Sequence, residues 1–183
     1  MPWAKNATGK LGATVNANEL ETPRLLLRLY SAEDRDAFVS LHTDPEVRRH
    51  MNGPLTPQKA ESWFDEINSE TATQGTCWAI IEKETSAFAG HAFLWLDDSH
   101  PFHELGFLFF KSYWGRGFAT ETALRLVGHF LGDGGLPGLS ATVDCDHAPS
   151  IRVLEKAGFE KASVATDELG PYFIYSIHRP NSD

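Results

Sequence analysis

Cysteine is nearly absent: Cys77 and Cys145 are the only two in 183 residues. Two cysteines cannot build a disulfide framework, and each is expected to be a reduced, buried small hydrophobe. Positive charge is also in deficit. The 16 Lys and Arg stand against 25 Asp and Glu, a formal net charge of −9. This excludes the basic surface that nonspecific nucleic-acid binding requires. It suits a cationic substrate only weakly, because a net charge does not describe one site. No apolar run approaches the roughly 18 residues needed to span a bilayer, so no membrane partner is expected. The opening "MPWAKNATGKLGATVNANE" lacks the apolar centre of a secretory signal. Residues 1–19 are expected to form a loosely attached arm, residues 20–183 a single domain, and the cytoplasm is the expected location. No internal repeat and no low-complexity linker follows residue 20.

What is present suits one globular domain with its own core: hydrophobic residues make up 42% and charged residues 22%. "RLLLRLY", Arg24 to Tyr30, predicts a first strand. "SAEDRDAFVSLH" predicts a helix, with Ser31 and Asp34 as a weak capping box. "DPEVRRHM" predicts a short helix capped by Asp44 with Pro45 at its first position, and "TPQKAESWFDEI" another, with Thr56 and Pro57. The period then changes. "TCWAIIE" and "AFAGHAFLWL" predict strands joined at "KETS", and "HELGFLFF", His103 to Phe110, predicts a third. A helix is expected from Phe118 to Leu131, with Ala119, Ala123, Leu124, Val127, Phe130 and Leu131 inward. "GDGGLPG" breaks it. "LSATV" is a strand, "PSIRVLEKAG" a helix ended at Gly158, and Phe159–Ala165 and Tyr172–Ile177 are closing strands. The expected class is therefore α/β: one mixed, mostly antiparallel sheet with helices on it, without the regular alternation of a doubly wound fold.

"SYWGRGFATETA", Ser112 to Ala123, joins a strand to a helix through Gly115 and Gly117. A glycine turn ahead of a free helix N-terminus is an anion site, because the first N–H groups lack partners and the helix dipole favours negative charge. Phosphate is the natural guest. The P-loop pattern is absent. The dinucleotide fingerprint fails at its third glycine, where Thr120 stands, and lies late in the chain for such a unit. A plain turn remains the alternative.

Trp114-Gly115-Arg116-Gly117-Phe118-Ala119 resembles the Gln/Arg-x-x-Gly-x-Gly/Ala motif of the GNAT superfamily of N-acetyltransferases, with Trp114 in place of Gln or Arg. "TPRLLLR" (Thr22–Arg28), "DPEVRRHM" and "SIRVLEKAGFE" (Ser150–Glu160) are similar to segments of its ribosomal-protein N-terminal acetyltransferase subgroup. Four such motifs in order cover the chain from about Glu21 onward. The resemblance implies a fold of about seven strands, in which those at His103–Phe110 and Leu139–Val143 splay apart. It also implies acetyl-CoA as co-substrate, with its pyrophosphate on the backbone amides of Gly115, Arg116, Gly117, Phe118, Ala119 and Thr120. The pantetheine would pair with the strand edge at Phe107, Leu108 and Phe109. Arg116 either adds charge to a phosphate or points into solvent.

Acetyl transfer to an amine needs a base for the ammonium, donors for the oxyanion and a proton for the leaving thiolate. Glu104, in the otherwise apolar run "ELGFLFF", is the candidate base. Burial would raise its pKa and suit it to accept a proton, and family members often place a Glu here. A structural carboxylate at the sheet's rim is the alternative. In the subgroup pattern N-x-x-S, Asn binds pantetheine and Ser lies near the thiol. His147-Ala148-Pro149-Ser150 keeps the Ser and replaces the Asn. Ser150 is thus the candidate acid or donor, or else a helix cap. His147 takes over the Asn contact, protonates the thiolate, or is a surface residue. Tyr172 and Tyr175 are weaker acid candidates. A Cys145–His147 nucleophile pair fails because neighbours in sequence rarely aim at one another. A metal site at His100, His103 and Glu104 fails because strand alternation separates the last two, so no metal is expected. Trp63, Trp78, Phe93 and Trp95 fit core or pocket walls equally.

The function expected is acetyl-CoA-dependent N-acetylation of a primary amine, either a protein N-terminus or a small molecule, by direct attack. The alternative is a non-catalytic CoA-binding sensor or partner module. The acceptor pocket would come from residues 44–67 and the last hairpin. A homodimer is left open.

Overall fold

The computed structural model describes residues 19–69, 75–95 and 101–179. The expected arm therefore lies outside the described residues, except Glu19, and so does His100. Eight strands form one sheet in the order β1-β2-β3-β4-β5-β6-β8-β7. They are β1 (Glu19–Glu21), β2 (Leu25–Arg28), β3 (Gly75–Glu82), β4 (Ala87–Trp95), β5 (His103–Phe109), β6 (Gly138–Asp144), β7 (Glu160–Asp167) and β8 (Gly170–His178). The strand beyond the expected seven is β1, which pairs with β2 antiparallel. Among the described residues, every pairing is antiparallel except β5 with β6.

Among the described residues, four α-helices accompany the sheet: α1 (Arg35–Thr43), α2 (Pro57–Ile67), α3 (Phe118–Val127) and α4 (Ala148–Lys156). They lie on both faces of the sheet. Along β4, Ala92 and Leu94 join the core beneath α3 and α4. The intervening His91 and Phe93 point the other way, where the His91 ring meets Phe38 and His42 of α1 and Trp63 of α2. This is the two-residue alternation of a strand buried on both sides. Trp78 is fully buried.

The caps behave largely as the sequence suggests. Thr56 Oγ1 accepts from the Lys59 N–H, with Pro57 opening α2. Ser31 and Asp34 form a capping box, around a 3-10 turn that leads into α1. The Asp34 carboxylate also takes a two-pronged pair from Arg28, at 2.7 and 2.9 Å.

Three expectations need correction. "DPEVRRHM" forms successive turns, not a helix. Asp44 Oδ1 does accept from the N–H groups of Glu46 and Val47, but the segment then wraps round the buried Arg48. That guanidinium donates to the carbonyls of Met51 and Gly53, and its Nη1 lies 3.0 Å from His42 Nδ1. The turn closes through Asn52 and Gly53, both at positive φ. The expected helix to Leu131 ends as α at Val127 and finishes in a π-helical turn over Gly128–Asp133, and Leu124 is half exposed, outside the core. Cys77 is buried as expected, whereas Cys145 is only half-buried, in the turn after β6.

Candidate active site

The parallel pairing of β5 with β6 is limited to His103 with Leu139 and Glu104 with Ser140. Beyond Glu104, β5 stays with β4 and β6 stays with β8. The two strands part there, and the expected splay is present. An open cleft occupies the gap. Its walls are Glu104–Leu108 and Ala141–Asp144, with His147 and Ser150 from the start of α4 and Val47, His50 and Met51 from the turn after α1. Neither α2 nor the β7–β8 hairpin lines it, so of the expected acceptor segments only the turn contributes.

Glu104 sits at the fork. It is 5% exposed, and Thr142 Oγ1, two residues beyond the last pair on β6, reaches across to donate to Glu104 Oε1 at 2.6 Å. The carboxyl group is thus held at the head of the cleft.

The edge of β5 supplies backbone groups. The Phe110 N–H donates to Ala89 of β4. By strand alternation the peptide groups of Leu108 also face β4, and those of Phe107 and Phe109 face the gap. Of the three expected edge residues, Leu108 therefore offers the cleft only its side chain. The Phe109 carbonyl already accepts from Trp114 Nε1 at 2.8 Å, so the residue that replaces the motif's Gln or Arg is tied to that same edge.

The glycine turn has the expected form. Gly115 (φ 73°) and Gly117 (φ 81°) are both left-handed, and Gly117 is the N-cap of α3. The Glu121 N–H returns to the Gly117 carbonyl, so the N–H groups from Gly117 to Thr120 precede the first helical hydrogen bond and stay available to an anion. The Phe118 side chain is buried in the core, which turns its backbone toward the opening. Ala119 and Thr120 are half-buried. Arg116, one of the expected anion contacts, is engaged within the chain. Its guanidinium pairs with the buried Glu82 at 2.5 Å and lies over the Phe118 ring.

The far side of the cleft holds residues that sequence reasoning missed. His50 Nδ1 lies 3.1 Å from Asp144 Oδ2 and 3.5 Å from Asp146 Oδ1. Its ring stacks on His147, with centroids 4.0 Å apart and planes 13° from parallel. Burial, then the neighbouring His50 and Arg49, outweigh Asp146 and depress the His147 pKa to about 4. The ring is therefore neutral near pH 7, without the extra proton that the general-acid role demands. One ring N–H remains as a donor. Ser150, in the first turn of α4, is half-buried and faces the cleft. Tyr175 is buried with its hydroxyl donating to Glu155, away from this chemistry. Burial, then Asp167 and Glu104, raise the Tyr172 pKa.

A strand splay beside a glycine turn at a helix N-terminus now has a sequence-wide counterpart. The family model described as "Acetyltransferase (GNAT) domain" matches residues 24–160, most of the chain. The chain belongs to the GNAT acetyltransferase family. It is 31% identical over 154 residues to "Uncharacterized N-acetyltransferase p20" of Bacillus licheniformis, covering 81% of this chain and 85% of that protein. The fold is similar to a GNAT-family acetyltransferase from Bacillus anthracis, with TM-score 0.78 and 19% identity over 89% of this chain and 99% of that one. It is also similar to a spermidine N-acetyltransferase from Vibrio cholerae solved with CoA and spermine, with TM-score 0.74 and 13% identity over 86% and 97% of the two chains. As a GNAT enzyme, the protein transfers an acetyl group from acetyl-CoA. Thr142 and His50 had no sequence signal as site residues. His50 and Asp144 lie 94 positions apart and meet only in the fold.

Proposed function

We propose that this GNAT enzyme acetylates a primary amine by direct attack in the β5–β6 cleft, with Glu104 as the proton acceptor. The buried carboxyl at the fork carries this reading. It is the acidic side chain set deepest where β5 and β6 separate, and Thr142 orients it.

Acetyl-CoA would enter with its pyrophosphate on the N–H groups of Gly117, Phe118, Ala119 and Thr120, flanked by Gly115 and Arg116. Its pantetheine would run along the Phe107 and Phe109 edge, which brings the thioester to the fork between Glu104 and Ser150. An ammonium has no lone pair, so Glu104 takes a proton from the acceptor, directly or through one water. The amine nitrogen then bonds to the thioester carbonyl carbon. The tetrahedral oxyanion collapses, the C–S bond breaks, the thiolate leaves with its electron pair, and the nitrogen gives its remaining extra proton to solvent to leave the neutral amide. The Ser150 hydroxyl is the donor placed to relay a solvent proton to that sulfur, and neutral His147 serves as a hydrogen-bond donor beside it. The similarity to proteins named N-acetyltransferases supports an N-linked acceptor, and the neighbour solved with spermine supports a small polyamine as one class of it. A peptide N-terminus enters by the same chemistry.

Exchange of Glu104 for Gln tests the reading. CoA affinity by calorimetry is expected to stay unchanged while the rate at saturation falls by roughly 10²–10⁴-fold, the range for removing a general base. An unchanged rate would remove Glu104 from the mechanism.

A further inference from the structure

The segment "TPR" just before β2 has no role in the chemistry above, yet its Thr22 and Arg24 side chains reach the first turn of α3 and the glycine turn, 99 and 92 positions away. Thr22 Oγ1 donates to Glu121 Oε1 at 2.5 Å. The Arg24 N–H donates to the same oxygen at 3.0 Å, and Arg24 Nε donates to Glu121 Oε2 at 2.7 Å. This leaves Arg24 Nη1 free to donate to the Arg116 carbonyl at 2.9 Å, inside the turn. The guanidinium lies 4.4 Å above the Phe118 ring. A Cβ built on Gly117 would meet Arg24 Nη2 at 3.5 Å, so the fork lies directly against the left-handed residue. Glu121 sits in the first turn of α3, one residue past the amides that would face the pyrophosphate. Arg24 thus bridges both sides of the cradle: the peptide before Gly117 and the helix turn after it.

We propose that Arg24 is a positioning residue for acetyl-CoA, holding the Gly115–Gly117 turn in its anion-binding shape through Glu121 and the Arg116 carbonyl. The proposal rests on the reading of the α3 N-terminus as the pyrophosphate site. A turn with two left-handed glycines is conformationally loose when unheld, because glycine loses more freedom on ordering than any other residue. A fork that fixes the turn beforehand spares the ligand that ordering. Lysine does not substitute, since a single ammonium cannot present the planar fork that engages the carboxylate and the carbonyl together.

The test compares acetyl-CoA with S-acetyl-pantetheine, which carries the thioester but no pyrophosphate. In Arg24→Ala, the KM for acetyl-CoA and the calorimetric Kd for CoA are expected to rise about tenfold, with kcat near the starting value. The kcat/KM for S-acetyl-pantetheine is expected to stay unchanged. Arg24→Lys keeps the stem over Phe118 and loses the fork; it is expected to shift in the same direction, and it decides the matter if the Ala variant does not fold. Unchanged CoA affinity, or an equal loss with both thioesters, would overturn the proposal. Gly117→Val separates the two levels. If it leaves CoA affinity intact, the pyrophosphate reading itself fails. If it weakens CoA while both Arg24 variants bind normally, only the role of Arg24 fails.

Discussion

The two ends of the proposed site are made of different materials. At the α3 end the groups offered to a ligand are backbone N–H and C=O, and the side chains nearby serve to hold that backbone. Arg24 with Glu121 and Trp114 with the Phe109 carbonyl are its braces. At the α4 end the groups offered are side chains: Glu104 with Thr142, the stacked His50 and His147, Asp144 and Ser150. A backbone site binds a constant chemical feature, such as a pyrophosphate, and needs no particular side chain beyond those that fix its shape. A side-chain site is where proton transfer and acceptor choice can be varied without disturbing it. The arrangement lets one fold keep its donor and change its acceptor.

The widest separation of the two ends is expected from setting Glu104→Gln beside Arg24→Ala. The first should change rate and spare CoA affinity; the second should change affinity and spare the saturated rate. If both variants lost rate and affinity together, the division between the ends would collapse.

A smaller effect is expected at Gly106, in the middle of β5. A Cβ there would run into the Phe93 ring, which forms part of the cleft wall. Gly106→Ala should cost about 1–3 kcal/mol of stability through overpacking and lower kcat/KM by pushing the ring into the acyl space. Denaturant midpoints and steady-state rates measured together would show whether wall and scaffold are coupled at this point.

Acid perturbs the buried histidines without any substitution. His91 is fully buried, with a pKa lowered by burial and then by Arg48 from 6.5 to about 3, and burial first of all also lowers that of His42. The unfolded chain binds these protons near pH 6.5 while the folded chain does not. Stability should therefore be level above about pH 6.5 and fall as pH drops toward 4. The loss at pH 5 should be on the order of 2 kcal/mol for His91 alone. His147 behaves alike down to its pKa of about 4. Chemical denaturation between pH 7 and pH 4.5 gives the curve. A flat profile would mean that these rings protonate in place.

Legibility followed the same division. The glycine turn is contiguous, and its anion-binding logic comes from the local backbone, so Gly115 to Thr120 could be read directly from the chain. Glu104 could be singled out because a carboxylate within "ELGFLFF" is anomalous on its own. The α4 end was partly hidden, because its geometry depends on pairs such as His50 with Asp144 that no local pattern connects. "DPEVRRHM" carries a helix cap and still forms turns, because the buried Arg48 recruits the carbonyls of Met51 and Gly53. His147 could be picked out as a departure from N-x-x-S, but its near-neutral sequence pKa concealed the burial that keeps it neutral. The pairing of Arg116 with Glu82, 34 positions away, likewise has no local signal.

The central claim is acetyl transfer to an amine in the cleft between β5 and β6. The direct measurement is release of free CoA thiol from acetyl-CoA with a panel of N-terminal peptides, polyamines and amine-bearing drugs. Amine-dependent thiol release matched by acetylated amine, from at least one member of the panel, is the predicted result. Intact CoA binding with no turnover on any member would contradict it and point to a CoA-binding module without chemistry.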